Sequence, residues 1–437
     1  MKRRKRLLLA AGGAALLVSA SWLLADRLED TIFIPLDHPA IQYAERAPND
    51  AVARLEERLD DGKTKLNYSP AGGYLASVLK ELNVPVDSQV LVFSKTSIQA
   101  AHISPRTPRA IYFNDDVSVG YVRGGEVLEF SALDPKQGVK LYALEADKVD
   151  QPSLARRDEC LQCHQGPVTL AVPGLLVSSV HPSTGRPGEE HGNAFMTDHR
   201  TPFSQRWGGW YVTGTHGAQY HLGNNPELTD PIHPGKASRE GTQNVVSLAD
   251  RFDTSAYLAP TSDIVALMVL EHQVRMTNLL IRIGWDVRIA EHDHTLDATA
   301  TQLNAEMEEL TAYMLFGDED ALKEPVAGVS TFTKTFAARG PRDPQGRSLR
   351  DFNLKTRLFR YPLSYMIYSA AFDGMPDYAR DRVYRLLFNI LNGTDKRESI
   401  ADLSLARLSD EDRRNILEIL RATKPNLPAY WAVANAR

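Results

Sequence analysis

The sequence predicts an α+β protein: a strand-rich N-terminal half that leads into a paired-cysteine motif, followed by a C-terminal half that is all helical. Three observations predict this. Short β-prone runs separated by turn residues crowd residues 89–144, a Gly- and Pro-rich stretch follows to about residue 235, and helical apolar periodicity takes over from about residue 262. Of the 437 residues, 43% are hydrophobic and 24% charged, which is the balance of an ordinary globular chain. No internal repeat or low-complexity tract interrupts it.

The first element is an export signal. Lys2, Arg3, Arg4, Lys5 and Arg6 form a basic leader, and residues 7–25 are apolar apart from Ser19, Ser21 and two glycines. The positive-inside rule leaves the basic end in the cytoplasm and everything after about residue 26 outside. Val18-Ser19-Ala20 offers a cleavage site, yet the apolar run continues through Trp22, Leu23 and Leu24. It thereby approaches the roughly 20 residues that span a bilayer. The expectation is an uncleaved anchor over residues 1–26, with a cleaved, soluble form as the alternative. Beyond it, residues 27–240 read as a mixed α/β region and residues 241–437 as a helical one.

Residues 49–59 and 73–82 have the pattern of short amphipathic helices. Strands are expected at residues 89–94, 110–114, 118–123, 127–131 and 139–144, punctuated by Asn114-Asp115-Asp116, Gly124-Gly125 and Asp134-Pro135. Such spacing suits an antiparallel sheet. Further strand candidates lie at residues 175–180 and 209–213. Ser262 and Asp263 can cap a helix running to about Ile289, and residues 301–316, 378–391 and 409–422 predict three more. The last opens on Ser409-Asp410-Glu411-Asp412, a capping-box pattern.

The two cysteines of the chain both fall in Cys160-Leu161-Gln162-Cys163-His164, which spells C-x-x-C-H. That spacing is the attachment signature of a c-type haem: each thiol adds across a porphyrin vinyl group, and the adjacent imidazole takes an axial position on the iron. The competing readings are a redox dithiol, a stabilising disulfide and half of a zinc site. A zinc site needs about four ligands, and there is no second cysteine pair. A dithiol does not require the histidine. Export and C-x-x-C-H also agree with each other, since covalent haem attachment takes place outside the bacterial inner membrane.

The motif resembles that of c-type cytochromes, and Gln165-Gly166-Pro167 is similar to the turn that follows the haem histidine in many of them. Asp198-His199-Arg200 through Arg206-Trp207-Gly208-Gly209-Trp210-Tyr211 resembles a segment of a family of exported single-haem proteins. The resemblance implies one covalent haem c and redox chemistry, and it carries over no reaction. Where cytochromes place the motif near the start of a small helical domain, some 130 residues of partly strand-like sequence precede it here.

The remaining question is the second axial position, because a strong ligand there makes a carrier and an open one permits catalysis or gas binding. Met196, 33 residues beyond Cys163, is the candidate sulfur ligand, with gap-filling core as its other reading. His199 is a candidate ligand or distal acid–base residue. His272 sits mid-helix with Met268 and Met276 four residues to either side, a stripe that suits either a porphyrin or plain core. His181, His191, His216 and His221 read as structural or exposed, and His292-Asp293-His294 as a weak chelate. Arg156, Arg157, Arg200 and Arg206 are placed to reach haem propionates. The basic stretch from Arg339 to Arg360 could do so as well, or be a solvated loop. The Trp207–Tyr211 cluster could wall a macrocycle or form a core strand.

Without its leader the chain carries 45 Lys+Arg against 55 Asp+Glu, from 50 less the five of the leader, so its formal charge is −10. That excludes nucleic acid as the expected partner and suits docking to a basic redox protein. The expectation is a membrane-anchored periplasmic electron-transfer protein whose partner is an electron donor or acceptor protein. The alternative is a haem-dependent oxidoreductase, peroxidase-like or oxidising a small anion, acting on a small-molecule redox substrate. Size favours the enzyme and Met196 favours the carrier. A haem-based sensor is disfavoured because no cytoplasmic signalling domain is evident.

Overall fold

The computed structural model describes residues 35–180, 194–226, 241–394 and 408–432. The expected anchor, His181 and His191 lie outside the described residues. Within them the chain is α+β, with the strands in the N-terminal half and the helices concentrated in the C-terminal half.

Asp50 starts the first helix, α1 (Ala51–Asp60), by accepting hydrogen bonds from the Val52 and Ala53 amides, and α2 (Leu75–Glu81) follows. The strands β1 (Val90–Val92), β2 (Arg109–Phe113), β3 (Val117–Tyr121), β4 (Val127–Asp134), β5 (Gly138–Glu145) and β6 (Ala155–Arg156) pair with their sequence neighbours in an antiparallel meander. After the motif helix α3 (Leu161–His164) come a small hairpin, β7 (Ser178–Val180) with β8 (Ala194–Met196), and then β9 (Trp210–Tyr211). β9 joins the free side of β1, giving the order β6-β5-β4-β3-β2-β1-β9. The short pair β10 (Gly214–Thr215) and β11 (Ala327–Gly328) stands apart.

Alternation along the strands gives the sheet two different faces. One buries Leu91, Tyr112, Val119, Leu128 and Leu144 against Val52 and Leu55 of α1 and Leu75, Val78 and Leu79 of α2. The other turns toward α4 (Ile264–His292), a helix apolar on nearly every side and buried along almost its whole length. Among the described residues it is the one helix long and apolar enough to cross a membrane, but here it is the central rod of the core. Around it pack α5 (Leu296–Met314), α6 (Phe332–Ala338), α7 (Ala370–Asp373), α8 (Asp377–Leu391) and α9 (Asp410–Thr423). Val90, Val92, Leu133 and Leu141 of the sheet belong to the same buried cluster as these helices, so packing continues across the boundary expected near residue 240.

α4 begins where the sequence indicates. Asp263 is 1% exposed and caps it, with Oδ1 accepting from the amides of Val265 (2.8 Å) and Ala266 (3.3 Å). Oδ2 accepts from the Ser330 amide (2.9 Å) and hydroxyl (2.7 Å), which ties the helix start to the β11–α6 connection. Asp263→Ala strands all four donors. It is expected to lower unfolding free energy by about 2–4 kcal/mol, read as a reduced urea midpoint.

Candidate functional site

The cysteine motif opens on a cavity. A 3₁₀ turn at Asp158–Cys160 runs into α3, and Cys160, Cys163 and His164 all line a space of about 970 Å³ between this segment, the open face of the sheet and α4. That volume lies at the upper end of the range for small-molecule and cofactor sites. Its apolar wall includes Ile111, Leu141, Leu175, Trp210, Leu270 and Val274.

The loop after the motif sets the orientation of His164. Leu170 and Ala171 both take left-handed backbone conformations (φ 61° and 60°), turning the chain sharply back. Asn278 of α4 then grips Leu175 by both main-chain groups, its Oδ1 accepting from the amide and its Nδ2 donating to the carbonyl, each at 2.9 Å. Arg282 of the same helix donates to the Leu170 carbonyl at 3.0 Å. Gly174 lies between these anchors, where a Cβ would collide with the Asn278 amide. Its carbonyl stands 2.9 Å from His164 Nδ1. That contact requires the proton on Nδ1 and so leaves the Nε2 lone pair available, the tautomer expected of an imidazole that ligates metal through Nε2. Burial holds His164 below the ordinary imidazole range, and therefore neutral. The thiol of Cys160 moves the other way, raised by burial and by Glu159 and Glu129.

Opposite the motif, the alternating positions of three strands put polar groups on the sheet face, Arg109 on β2, Ser118 on β3, and Glu129 and Ser131 on β4, with the bare backbone of Gly120 on β3 between them. Gly120 pairs directly with Ile111 on one side and Glu129 on the other. Arg109 forms an ion pair with Glu129. Glu129 Oε1 also accepts from Ser97 Oγ (2.7 Å) and Gln99 Nε2 (2.9 Å). Burial pushes the Glu129 carboxyl up, but Arg109 and these two donors outweigh it and hold the group below the usual range. Buried Arg109 Nε has no partner among the described residues, and neither has Arg157 Nε at the cavity rim. Exposed Lys95 and Ile98, the latter 72% exposed, complete the mouth.

The structure brings Cys160, Cys163 and His164 together but not the other expected site residues. Met196 ends β8, half-buried opposite Ser178 in the hairpin, and is not among the lining residues. His272 points away from the cavity for a geometric reason. Leu270 and Val274 are the residues of α4 that line it, and a position two residues from each falls on the opposite side of a helix. There it meets His199, Nδ1 to Nδ1 at 2.9 Å, while His272 Nε2 lies 2.8 Å from Ser364 Oγ and His199 Nε2 3.4 Å from the Gly317 carbonyl. One direction of donation satisfies the whole chain: Ser364 to His272 to His199 to Gly317, with both rings neutral. Burial pushes His199 down to about 3 and His272 well below the usual range.

Of the arginines, Arg157 reaches the cavity. Arg156 donates to the Tyr43 and Ala44 carbonyls, Arg200 pairs with Asp198, and Arg206 is buried against Glu271 at 3.2 Å. The basic stretch does not line the cavity, and it is partly solvated, with Arg339, Arg342, Lys355 and Arg360 exposed. Arg342 pairs with Asp351, Arg347 with Asp343 and Glu418, Arg350 with Asp115, and Arg357 with Asp412. Trp210 walls the cavity, its Nε1 donating to the Ser178 carbonyl, whereas Trp207 is core beside Phe203 and His221. His216 Nδ1 lies 2.7 Å from the Gln219 carbonyl, and its Nε2 accepts from the Asn244 amide. His292 and Asp293 approach His38 at the surface rather than His294. Arg109, Glu129 and Gly120 were not anticipated, because a polar residue at alternate strand positions reads as solvent-facing.

No family model, curated protein or solved structure matches the chain.

Asn278→Ala removes both grips on Leu175 in a buried setting and is expected to cost about 1–3 kcal/mol, measured as a fall in urea midpoint. The histidine chain predicts an acid liability. An unfolded imidazole takes up its proton near pH 6.5, whereas His199 resists until about 3. Its contribution to stability is therefore complete above pH 6.5 and is lost as pH falls. In His199→Gln, stability plotted against pH between 6.5 and 4 should be shallower than in the parent by about 1.4 kcal/mol per unit. Equal slopes would show that His199 titrates normally.

Proposed function

We propose that the protein is an exported redox protein that carries one covalent haem c, with the iron open on the side facing the sheet. The observation that carries this reading is the placement of Cys160, Cys163 and His164 on one wall of a cavity of about 970 Å³, with the His164 proton committed to the Gly174 carbonyl. Cys160 and Cys163 would hold the porphyrin through thioethers, and His164 Nε2 would bind the iron. The apolar wall matches the body of a macrocycle. Arg157, with a buried unpaired Nε, and Lys95 at the mouth suit its carboxylates. Bound there, haem supplies one-electron exchange and, at an open iron, ligand activation.

The competing dithiol reading is weakened by the raised Cys160 thiol, since a reactive disulfide-exchange cysteine needs the opposite shift. Between carrier and oxidoreductase, a second observation favours the oxidoreductase. Among the described residues lining the cavity, His164 is the sole imidazole and there is no methionine to close the iron. The redox partner is then an electron donor or acceptor protein at the periplasmic face of the inner membrane, acting with a small-molecule substrate. Nucleic acid is not proposed, given the formal charge of −10 left by 45 Lys+Arg against 55 Asp+Glu without the leader.

Expression with a haem-maturation system should yield a coloured chain that retains haem on a denaturing gel. Cys160→Ala with Cys163→Ala should be colourless. The reduced protein should shift its visible spectrum on adding carbon monoxide. A double mutant that keeps covalent haem would sink the assignment. A methionine–iron spectrum indifferent to carbon monoxide would restore the carrier reading.

A further inference from the structure

The polar wall across from the motif has a chemistry of its own. Arg109 is part-buried, its side chain 21% exposed, and among the described residues its side chain pairs with Glu129 alone. A guanidinium has five N–H donors, so most of the donor capacity of Arg109 remains unspent at the cavity wall, and its Nε is buried with nothing to bond. Leaving buried donors unmade costs free energy unless a ligand engages them.

The wall is shaped to hold this cation in place. A Cβ on Gly120 would stand 2.7 Å from Arg109 Nη2 and 2.9 Å from Nε, so the guanidinium lies over the one position of β3 that has no side chain. The φ of Gly120 is not in the left-handed region, so the absent side chain rather than backbone freedom is what matters there. Glu129 is itself fixed by Ser97 and Gln99, and it stays ionised at neutral pH. A carboxylate with a lowered affinity for protons is a poor general acid, which makes Glu129 a positioning residue for Arg109.

We propose that Arg109, held over Gly120 by Glu129, binds a small anion with an acceptor atom on the open side of the haem cavity. This rests on the haem reading above and identifies the ligand class that reading leaves open. The shared chemistry is a compact anion that accepts a charge-assisted hydrogen bond, as nitrite and fluoride do. A neutral ligand such as carbon monoxide makes no such demand.

The test uses the full haem-loaded chain, with fluoride and nitrite titrated into the oxidised form and carbon monoxide into the reduced form, each followed in the visible spectrum. Arg109→Leu should weaken both anions by about 10-fold or more, the range expected for a lost hydrogen bond to a charged group, and change carbon monoxide affinity by less than about 2-fold. Arg109→Lys should recover only part of the loss, because it keeps the charge but not the fork. Since Arg109→Leu leaves Glu129 without its counter-ion, Gly120→Ala provides the independent variant. It retains both charges and displaces the guanidinium, and should weaken anions in the same direction.

Anion affinities unchanged in both variants would overturn the proposal, as would a parent protein that carries covalent haem and binds neither anion. Equal losses for anions and carbon monoxide would also overturn it, by showing that the wall acts through shape alone. Absence of covalent haem in the parent would instead sink the underlying reading, and the denaturing gel separates that case from the others.

Discussion

The structure depends on one buried helix holding one loop. α4 is apolar on nearly all sides, so it is stable only when covered, and the sheet and the C-terminal helices supply the cover. Each large side chain taken fully out of water there contributes roughly 1.5–3 kcal/mol. That rigidity is then used at two polar positions. Asn278 and Arg282 reach from the core to the backbone of the 170–175 loop, and the loop presents the Gly174 carbonyl to His164. Orientation of the motif histidine is thus inherited from the best-packed element of the protein.

Most of the fold was legible because its elements obey local rules. The five central strands are β-prone runs set off by turn residues, with clear alternation in β2 and the first part of β4, and all five lie within three residues of the expected spans. α4 and α9 begin at side chains that cap them, Asp263 and the Ser409–Asp412 capping box. α6 was missed because Phe332–Ala338 is too short for periodicity to register. α5 starts at Leu296 rather than near residue 301, since Thr295 provides no side-chain cap to mark it.

The site was legible only where chemistry is written contiguously. Cys160, Cys163 and His164 share a five-residue motif, so no tertiary information was needed to group them. Met196 and His199 share with the motif only closeness along the chain, and distance along the chain does not fix which wall of a cavity a residue joins. His199 and His272 each stand out singly in the sequence, but their pairing spans 73 residues and shows only in the folded chain. Arg109 and Glu129 failed the opposite way. In β2 and β4 they occupy the positions that alternate with buried residues, a pattern identical to that of a solvated face. That face looks across the cavity onto the motif segment and α4, a placement no strand pattern encodes.

The two polar clusters on either side of α4 illustrate opposite uses of burial. Behind the helix, the Ser364–His272–His199–Gly317 chain has a partner for every ring nitrogen, and a fully satisfied network in a low-dielectric interior fixes a single arrangement. In front of it, the Arg109–Glu129 pair is satisfied on the carboxylate side and deficient on the guanidinium side. A complete network has nothing left to offer a ligand, whereas an incomplete one at a cavity wall does. The asymmetry therefore separates structural histidines from a recognition surface more sharply than burial itself, since His199 and His272 are the more buried groups and the less available.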